Sequence, residues 1–310
     1  MDLMAAPDTY LDVQIDAAQN QKTIREILTE KYGFSQRHLA RCKQHPQGIL
    51  LDGQRVTVRT KVQTGQVLQI IKDTKQVRSN SIVAVGGQIE ILYEDADLLI
   101  VNKPPHMATH PSVGHWLDSL CNYVAYYLEQ SGQQAHIHPI GRLDYDTSGI
   151  VCIAKHSLAA SKLERSRSVN KVYLALAKGI VPEEGEIHLP MGYQKIGGKY
   201  QAVEDFIYGK HANTSYKRRQ SFSKYSLCEV TIGTGRMHQI RFHLSRLGFP
   251  LLGDPLYGDG RENVEGVLCE RAMLHAYQFQ FMHPLENKVL RISAPIPEDM
   301  QKLIAFRENA

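Results

Sequence analysis

The stretch that most constrains this chain is residues 138–154, His-Pro-Ile-Gly-Arg-Leu-Asp-Tyr-Asp-Thr-Ser-Gly-Ile-Val-Cys-Ile-Ala. Its second half, Gly149 to Ala154, is a short apolar run, and such a run predicts a buried strand. Its first half is rich in turn residues and sets Arg142, Asp144 and Asp146 beside the start of that strand. A buried strand holds adjoining polar groups rigidly, which is what chemistry requires. On spacing alone the same residues also fit a surface turn whose Asp144 and Thr147 cap nearby backbone amides.

Ahead of this stretch lies a small N-terminal module. Lys22 to Tyr32 reads as helical, with Ile24, Ile27 and Leu28 on one face, and Gly33 ends it. Ser35 can cap a second helix, Gln36 to Lys43, whose exposed positions are expected to include Arg37, His38, Arg41 and Lys43. Ile49 to Leu51, the Asp52-Gly53 turn and Arg55 to Thr57 predict a hairpin, because such a turn needs positive φ. Gln63 to Ile71 supplies another strand. Asp73 to Gly87 is polar and reads as a linker. The expected division is 1–82 for the module, a linker to about 87, and 88–310 for the larger domain.

In that larger part, Ile89 to Tyr93 and Leu98 to Val101 flank a polar turn and predict a second hairpin. Pro104 and Pro105 stop further ladder bonds. Helices are expected at Ser119–Leu128, Ser157–Arg167, Met237–Leu247 and Pro297–Arg307. Strands are expected at Lys171–Ala177, with alternating faces, and at Tyr216–Phe222, Tyr225–Ile232, Ala272–Phe281 and Lys288–Ile292. On the 237–247 helix, His238 and Arg241 are three apart, as are Arg236 and Gln239, so each pair can share a face. Strands and helices mix without a regular βαβ alternation, so the fold class is α+β with a largely antiparallel sheet.

Charge narrows the partners. The net charge is +4, with 36 Lys+Arg against 32 Asp+Glu, and the excess falls within residues 1–80. A basic module beside a neutral domain fits contact with a polyanion, and it also fits a merely solvated face. The five cysteines are scattered, with no Cys-x-x-Cys, which fits reduced thiols in a cytoplasm and not a zinc site. No apolar run approaches the roughly 18–20 residues of a membrane span. Met1 to Asp16 is acidic and lacks a signal pattern, so secretion is not expected. His106 and His110 have the i, i+4 spacing of a metal pair, but Pro and Gly interrupt any helix there and no acidic third ligand is near. A metal is therefore not expected.

Several motifs then occur in order: Val101-Asn-Lys-Pro104, Arg142-Leu-Asp-x-x-Thr-Ser-Gly149, Lys171-x-Tyr173, Thr234-Gly-Arg-x-His-Gln-Ile-Arg241-x-His243, Gly253-Asp-x-x-Tyr257-Gly258 and Leu274-His-Ala276. In order and spacing, across about residues 88–296, the chain resembles the RluA-type pseudouridine synthases. One departure stands out: the family usually has His directly before Arg-Leu-Asp, where this chain has Gly141. That departure bears on local packing or target preference. The two helices and small sheet of the N-terminal module resemble a small RNA-binding module found in a ribosomal protein and in many RNA-modifying enzymes. There the second helix lays basic residues along the phosphate backbone, the place of Arg37, Arg41 and Lys43 here.

The resemblance implies isomerisation of uridine in RNA, with Asp144 at the family's catalytic aspartate, Tyr173 at its pocket tyrosine, placed for proton transfer as the base for the C5 proton or a partner of it, and Arg241 at its ion-pairing arginine. Arg142 matches the arginine that helps fill the space left by a flipped base, although an ion pair to Asp146 would also explain it. Arg236 is a further expected RNA contact. The chemistry agrees. Cleaving the glycosidic bond leaves positive character at C1′, which a carboxylate can stabilise or attack. Asp144 must be ionised for either task, and a nearby Arg241 favours that form. The base must be flipped from its stack to be reached. One bond is lost and one regained with no net oxidation, so no cofactor is expected. The expected partner is structured RNA, ribosomal more than transfer RNA, and the expected state is a monomer. Two other readings remain: an RNA-binding protein with decayed catalysis, and a hydrolase using Asp144 and Asp146 as paired carboxylates.

Overall fold

The apolar run before Ala154 does form a strand with every residue buried, and the larger sheet is built around it. The structure is a computed structural model that describes residues 10–72, 82–133, 136–166 and 169–305. Most of the expected linker, residues 73–81, lies outside the described residues, as do Arg167 and residues 306–307 at the ends of two expected helices.

Residues 10–72 fold around a four-stranded antiparallel sheet in the order β1-β4-β2-β3, with β1 Tyr10–Gln14, β2 Ile49–Leu51, β3 Gln54–Arg55 and β4 Val67–Ile71. Asp52 and Gly53 join β2 to β3 with φ of 50° and 77°, as the turn chemistry demands. Thr23 and Glu26 form a reciprocal capping box at α1, Ile24–Glu26, which continues as a wider helical stretch over Ile27–Lys31. The Ser35 hydroxyl accepts from His38 N at 2.9 Å and starts α2, Gln36–Gln44. Two expectations change here. The strand predicted from Gln63 begins at Val67, because Gln63 to Gln66 is a turn closed by the Gln66 side chain on Gln63 N at 2.8 Å. His38 is buried rather than exposed, edge-on to Phe34 with ring centroids 5.2 Å apart. Arg37 and Lys43 are exposed and Arg41 is half-buried.

The larger unit is a ten-stranded sheet. Its strands are β5 Glu90–Glu94, β6 Leu98–Lys103, β7 His138–Ile140, β8 Ser148–Ala154, β9 Asn170–Lys178, β10 Glu184–His188, β13 Asn213–Ser221, β14 Tyr225–Ile232, β17 Leu274–Met282 and β18 Val289–Ser293. The main path runs β10-β13-β14-β9-β17-β8-β6-β5, with β18 on β17 and β7 on β8. Its pairings are antiparallel except β8 with β17. Two hairpins stand apart from it, β11 Met191–Ile196 with β12 Lys199–Glu204, and β15 Glu262–Val264 with β16 Val267–Cys269. The helices are α3 Leu120–Gln130, α4 Ser157–Arg165, α5 Gln239–Arg246 and α6 Glu298–Ile304. The fold is α+β with a largely antiparallel sheet.

Both faces of this sheet are covered. From β9, Tyr173, Ala175 and Ala177 pack with Ile240 and Leu244 of α5, while Leu174 and Leu176 pack with Met300 and Leu303 of α6. The alternation of exposure expected for β9 is absent for that reason. Residues 184–204 carried no strand in the sequence reading. Their strands β10 to β12 are half-exposed and mostly polar, so no apolar period marks them. Gly149 explains one contact: with φ of 112° it lets β8 approach β17 so closely that a Cβ would lie 2.3 Å from Ala276 O.

The small unit is docked on the large one. Leu158 of α4 completes the small unit's apolar core. Lys72 Nζ and His156 Nε2 each lie 2.9 Å from Asp97 Oδ1, and Leu158 N donates to Lys72 O at 3.2 Å. Burial alone would raise the Asp97 carboxyl, but these two partners hold it well below the usual range.

Candidate active site

Asp144 stands in the turn that leads into β8, where Thr147 N donates to Asp144 O at 3.1 Å. Asp146, two residues on, faces His106, 3.5 Å from its Nδ1. The Asp144 side chain is 23% exposed and so open to a substrate.

Arg241, on α5, places Nη1 3.8 Å from Asp144 Oδ2. This is a charge contact, too long for a hydrogen bond. Its short bonds go elsewhere: Nε to Asp254 Oδ2 at 2.8 Å and Nη2 to Asp254 Oδ1 at 2.7 Å. Asp254 is fully buried and also accepts from Leu256 N and Tyr257 N, at 2.9 and 3.1 Å. Burial would raise the Asp254 carboxyl, yet its bonds to Arg241 lower it below the usual range. Arg241 is therefore fixed by a bidentate fork, and the guanidinium edge left over faces Asp144. The Gly253-Asp motif assigns the aspartate no role by itself; its signal is a carboxylate that also caps the turn it begins.

Tyr173 is buried below the site. Burial raises its phenol far above the usual value, and the nearby charge of Asp144 pushes the same way. Lys103, given no role by the sequence, is fully buried and donates to Pro104 O at 2.9 Å, Met107 O at 2.8 Å and Tyr145 O at 3.3 Å. It ties the Pro104-Pro105 turn to the residue after Asp144. Burial pushes the Lys103 amine down to about 7, against the charges of Asp144 and Asp146. A second buried cation grips the same turn: Arg271 donates to Asp146 O at 3.1 Å and forks onto Asp299 of α6 at 2.7 and 2.9 Å.

The loop before α5 is held by Gln239. Its Oε1 accepts from Thr234 Oγ1 and Arg236 N, and its Nε2 donates to Asn213 O at 2.8 Å. Arg236 thus precedes the helix and does not share a helical face with Gln239. It is half-buried, with Nε 3.3 Å from His211 O. His238 has φ of 58° and Nδ1 3.0 Å from the Tyr257 hydroxyl. Burial, the largest effect, lowers its pKa, and the charge of Asp144 opposes that. Arg142 is exposed on the rim. Arg37, Arg41 and Lys43 lie on α2 of the small unit. Gly141 has φ of 80°, and a Cβ there would sit 2.9 Å from Lys171 Nζ, which donates to Ile140 O at 3.1 Å. The residue that departs from the family pattern is thus fitted to its own lysine.

Among the described residues, Asp95, Asp97 and His283 are close enough to hold a cation. Protein groups already occupy them: His283 Nε2 lies 3.0 Å from Asp95, and Lys72 and His156 take Asp97. That group lies where the two units meet, apart from His106, His110 and His115.

Comparison with known proteins agrees with this architecture. Residues 97–246 match the model of the RNA pseudouridylate synthase family. The chain is 34% identical to the uncharacterized RNA pseudouridine synthase YjbO of Bacillus subtilis, over 91% of this chain and 98% of that one. It is 33% identical to ribosomal large subunit pseudouridine synthase D of Nitrosomonas europaea, over 84% of this chain and 77% of that one. The solved human RNA pseudouridylate synthase domain containing 1 shares the fold, with a TM-score of 0.52 and 25% identity, over 71% of this chain and 86% of that one. The chain therefore belongs to the RluA-type branch of the RNA pseudouridine synthases, enzymes that isomerise uridine in RNA.

Proposed function

We propose that Asp144 is the carboxylate that acts on the target uridine, that Arg241 aims it through their charge contact, and that the target lies in ribosomal RNA. The observation that carries this reading is the partly open Asp144 beside an Arg241 locked from behind by a fully buried Asp254. A guanidinium fixed in that way cannot follow a moving carboxylate, so it favours one position of it. The C1′–N1 bond breaks while Asp144 supports or attacks the sugar. The uracil turns over, C5 bonds to C1′, the C5 proton leaves and N1 gains a proton. A phenol that burial keeps protonated cannot be the resting base for the C5 proton. We therefore place Tyr173 as a hydrogen-bond donor that packs the base and works with the group that takes it.

Residues 1–82 serve as an RNA-binding module, with Arg37, Arg41 and Lys43 on the phosphate backbone, and residues 88–310 as the catalytic domain. Arg142 fills the stack left by the flipped uridine and Arg236 contacts the flanking backbone. The ribosomal target follows from relatives that are named for the large ribosomal subunit and from the basic face of α2. The same reading places the work in the cytoplasm, by a monomer. The test is RNA carrying uridine tritiated at C5. Tritium release with the base retained supports the synthase. Free uracil would make it a hydrolase, and neither product would make it a binder.

A further inference from the structure

We infer that the β11–β12 hairpin carries a stacking strip, Tyr193–Lys195–Tyr200, for an unpaired nucleotide beside the target uridine; this rests on the reading that the chain acts on RNA. The hairpin register sets Tyr193 opposite Ala202 and Lys195 opposite Tyr200. Residues directly across an antiparallel pair share a face, and so do alternate residues along a strand, so these four lie on one side.

The inner end of that side is fixed to the site. Ala202 is buried with Phe242 of α5, and its N donates to the Tyr257 hydroxyl at 2.7 Å. The Tyr193 hydroxyl donates to Met237 O at 3.4 Å, immediately before His238. Asp144 is close enough for its charge to act on the Tyr193 phenol. Moving outward, exposure rises from 38% at Tyr193 to 63% at Tyr200. Lys195 is exposed as well. From Met191 to Val203 there is no acidic residue, while Lys195 and Lys199 are both present.

Core packing accounts for Ala202 and leaves the Tyr200 ring largely in water. Rings in water beside Lys195, which makes no ion pair among the described residues, fit one kind of occupant, a chain with flat apolar faces and a negative backbone. Single-stranded RNA offers both, because bases stack on the rings and a phosphate meets the ammonium. Duplex RNA hides its base faces, so the strip selects unpaired nucleotides next to a flipped one.

The test is fluorescence anisotropy with a fluorescein-labelled single-stranded oligouridylate, alone or annealed to its complement. Tyr200→Ala should weaken binding of the single strand by about fivefold or more, with the same melting temperature, while Tyr200→Phe should restore it. Lys195→Gln should lower the slope of log Kd against log salt by about 0.7, a slope that Tyr200→Ala leaves alone. Binding of the annealed duplex should not respond to Tyr200→Ala. Single-strand affinity within about twofold of the unmodified protein, or an equal loss on duplex, would overturn the strip. Tritium release separates the two claims. Release by a protein indifferent to Tyr200→Ala sinks the strip alone, whereas Tyr200-dependent binding without release sinks the isomerase reading and keeps the strip.

Discussion

The Asp144 cleft and the basic face of α2 both carry arginines, yet they use them in opposite ways. In the cleft, Arg241 is buried, forked onto a buried Asp254 and turned toward one open carboxylate. On α2, Arg37 and Lys43 project into solvent and Arg41 is half-covered. A buried charge is expensive to strand and holds geometry to fractions of an ångström, which suits bond making. An exposed charge contributes little to stability but attracts a polyanion at a distance, and salt weakens it. On the proposed reading, the same residue type sets position in one region and encounter in the other.

Removing Arg241 should break that contrast most sharply. Arg241→Met leaves Asp254 buried without its counterion, so it should abolish turnover and also cost about 3–5 kcal/mol in urea unfolding. The resemblance pairs Arg241 with Asp144 alone; the fork onto Asp254 is what adds the stability cost. Adding Asp254→Leu should recover only part of the stability, because Leu256 N and Tyr257 N then lose their acceptor, and none of the activity. Tyr173→Phe should be the reverse case, with stability within about 1 kcal/mol of the unmodified protein, RNA binding kept and product formation down about a hundredfold or more. A fully active Phe variant would remove Tyr173 from the chemistry.

The base of the cleft also has a pH signature. His275 is fully buried, with Nδ1 3.0 Å from Ser148 Oγ at the start of β8. Burial pushes its pKa down to about 4. The unfolded chain takes up this proton near pH 6.5, so between about 6.5 and 4 the unfolded state holds more protons and stability falls as pH falls. The loss from this group should be about 3 kcal/mol and should level off below pH about 4. In His275→Gln that part of the pH profile should be flat. The smallest effect belongs to α2. Combined Arg37→Gln, Arg41→Gln and Lys43→Gln should leave melting unchanged, weaken binding to a structured ribosomal RNA fragment and lower its salt slope by about two to three. An unaltered slope would take α2 off the RNA.

Much of this was legible in the chain because local chemistry dictated it. Asp52-Gly53 could only be a tight turn, Ser35 announced a helix start, and the run before Ala154 had to be covered. Asp144, Tyr173 and Arg241 stood out through motif order. Their mutual arrangement did not, because it depends on contacts between distant elements. Arg241 prefers Asp254 to Asp144, and nothing in their spacing ranks the two. Lys103 and Arg271 grip the Asp144 turn through backbone carbonyls, which leave no trace in side-chain identity. The hairpin at 191–204 was missed because its strands are polar and half-exposed, and the strip along it depends on register rather than on composition.

The most direct test of the central claim is Asp144→Asn, which keeps the shape of the side chain and removes its charge. On RNA tritiated at C5, in single turnover, release should fall by about a thousandfold or more while RNA affinity and unfolding stay near those of the unmodified protein. Release within about tenfold of the unmodified rate would contradict the account.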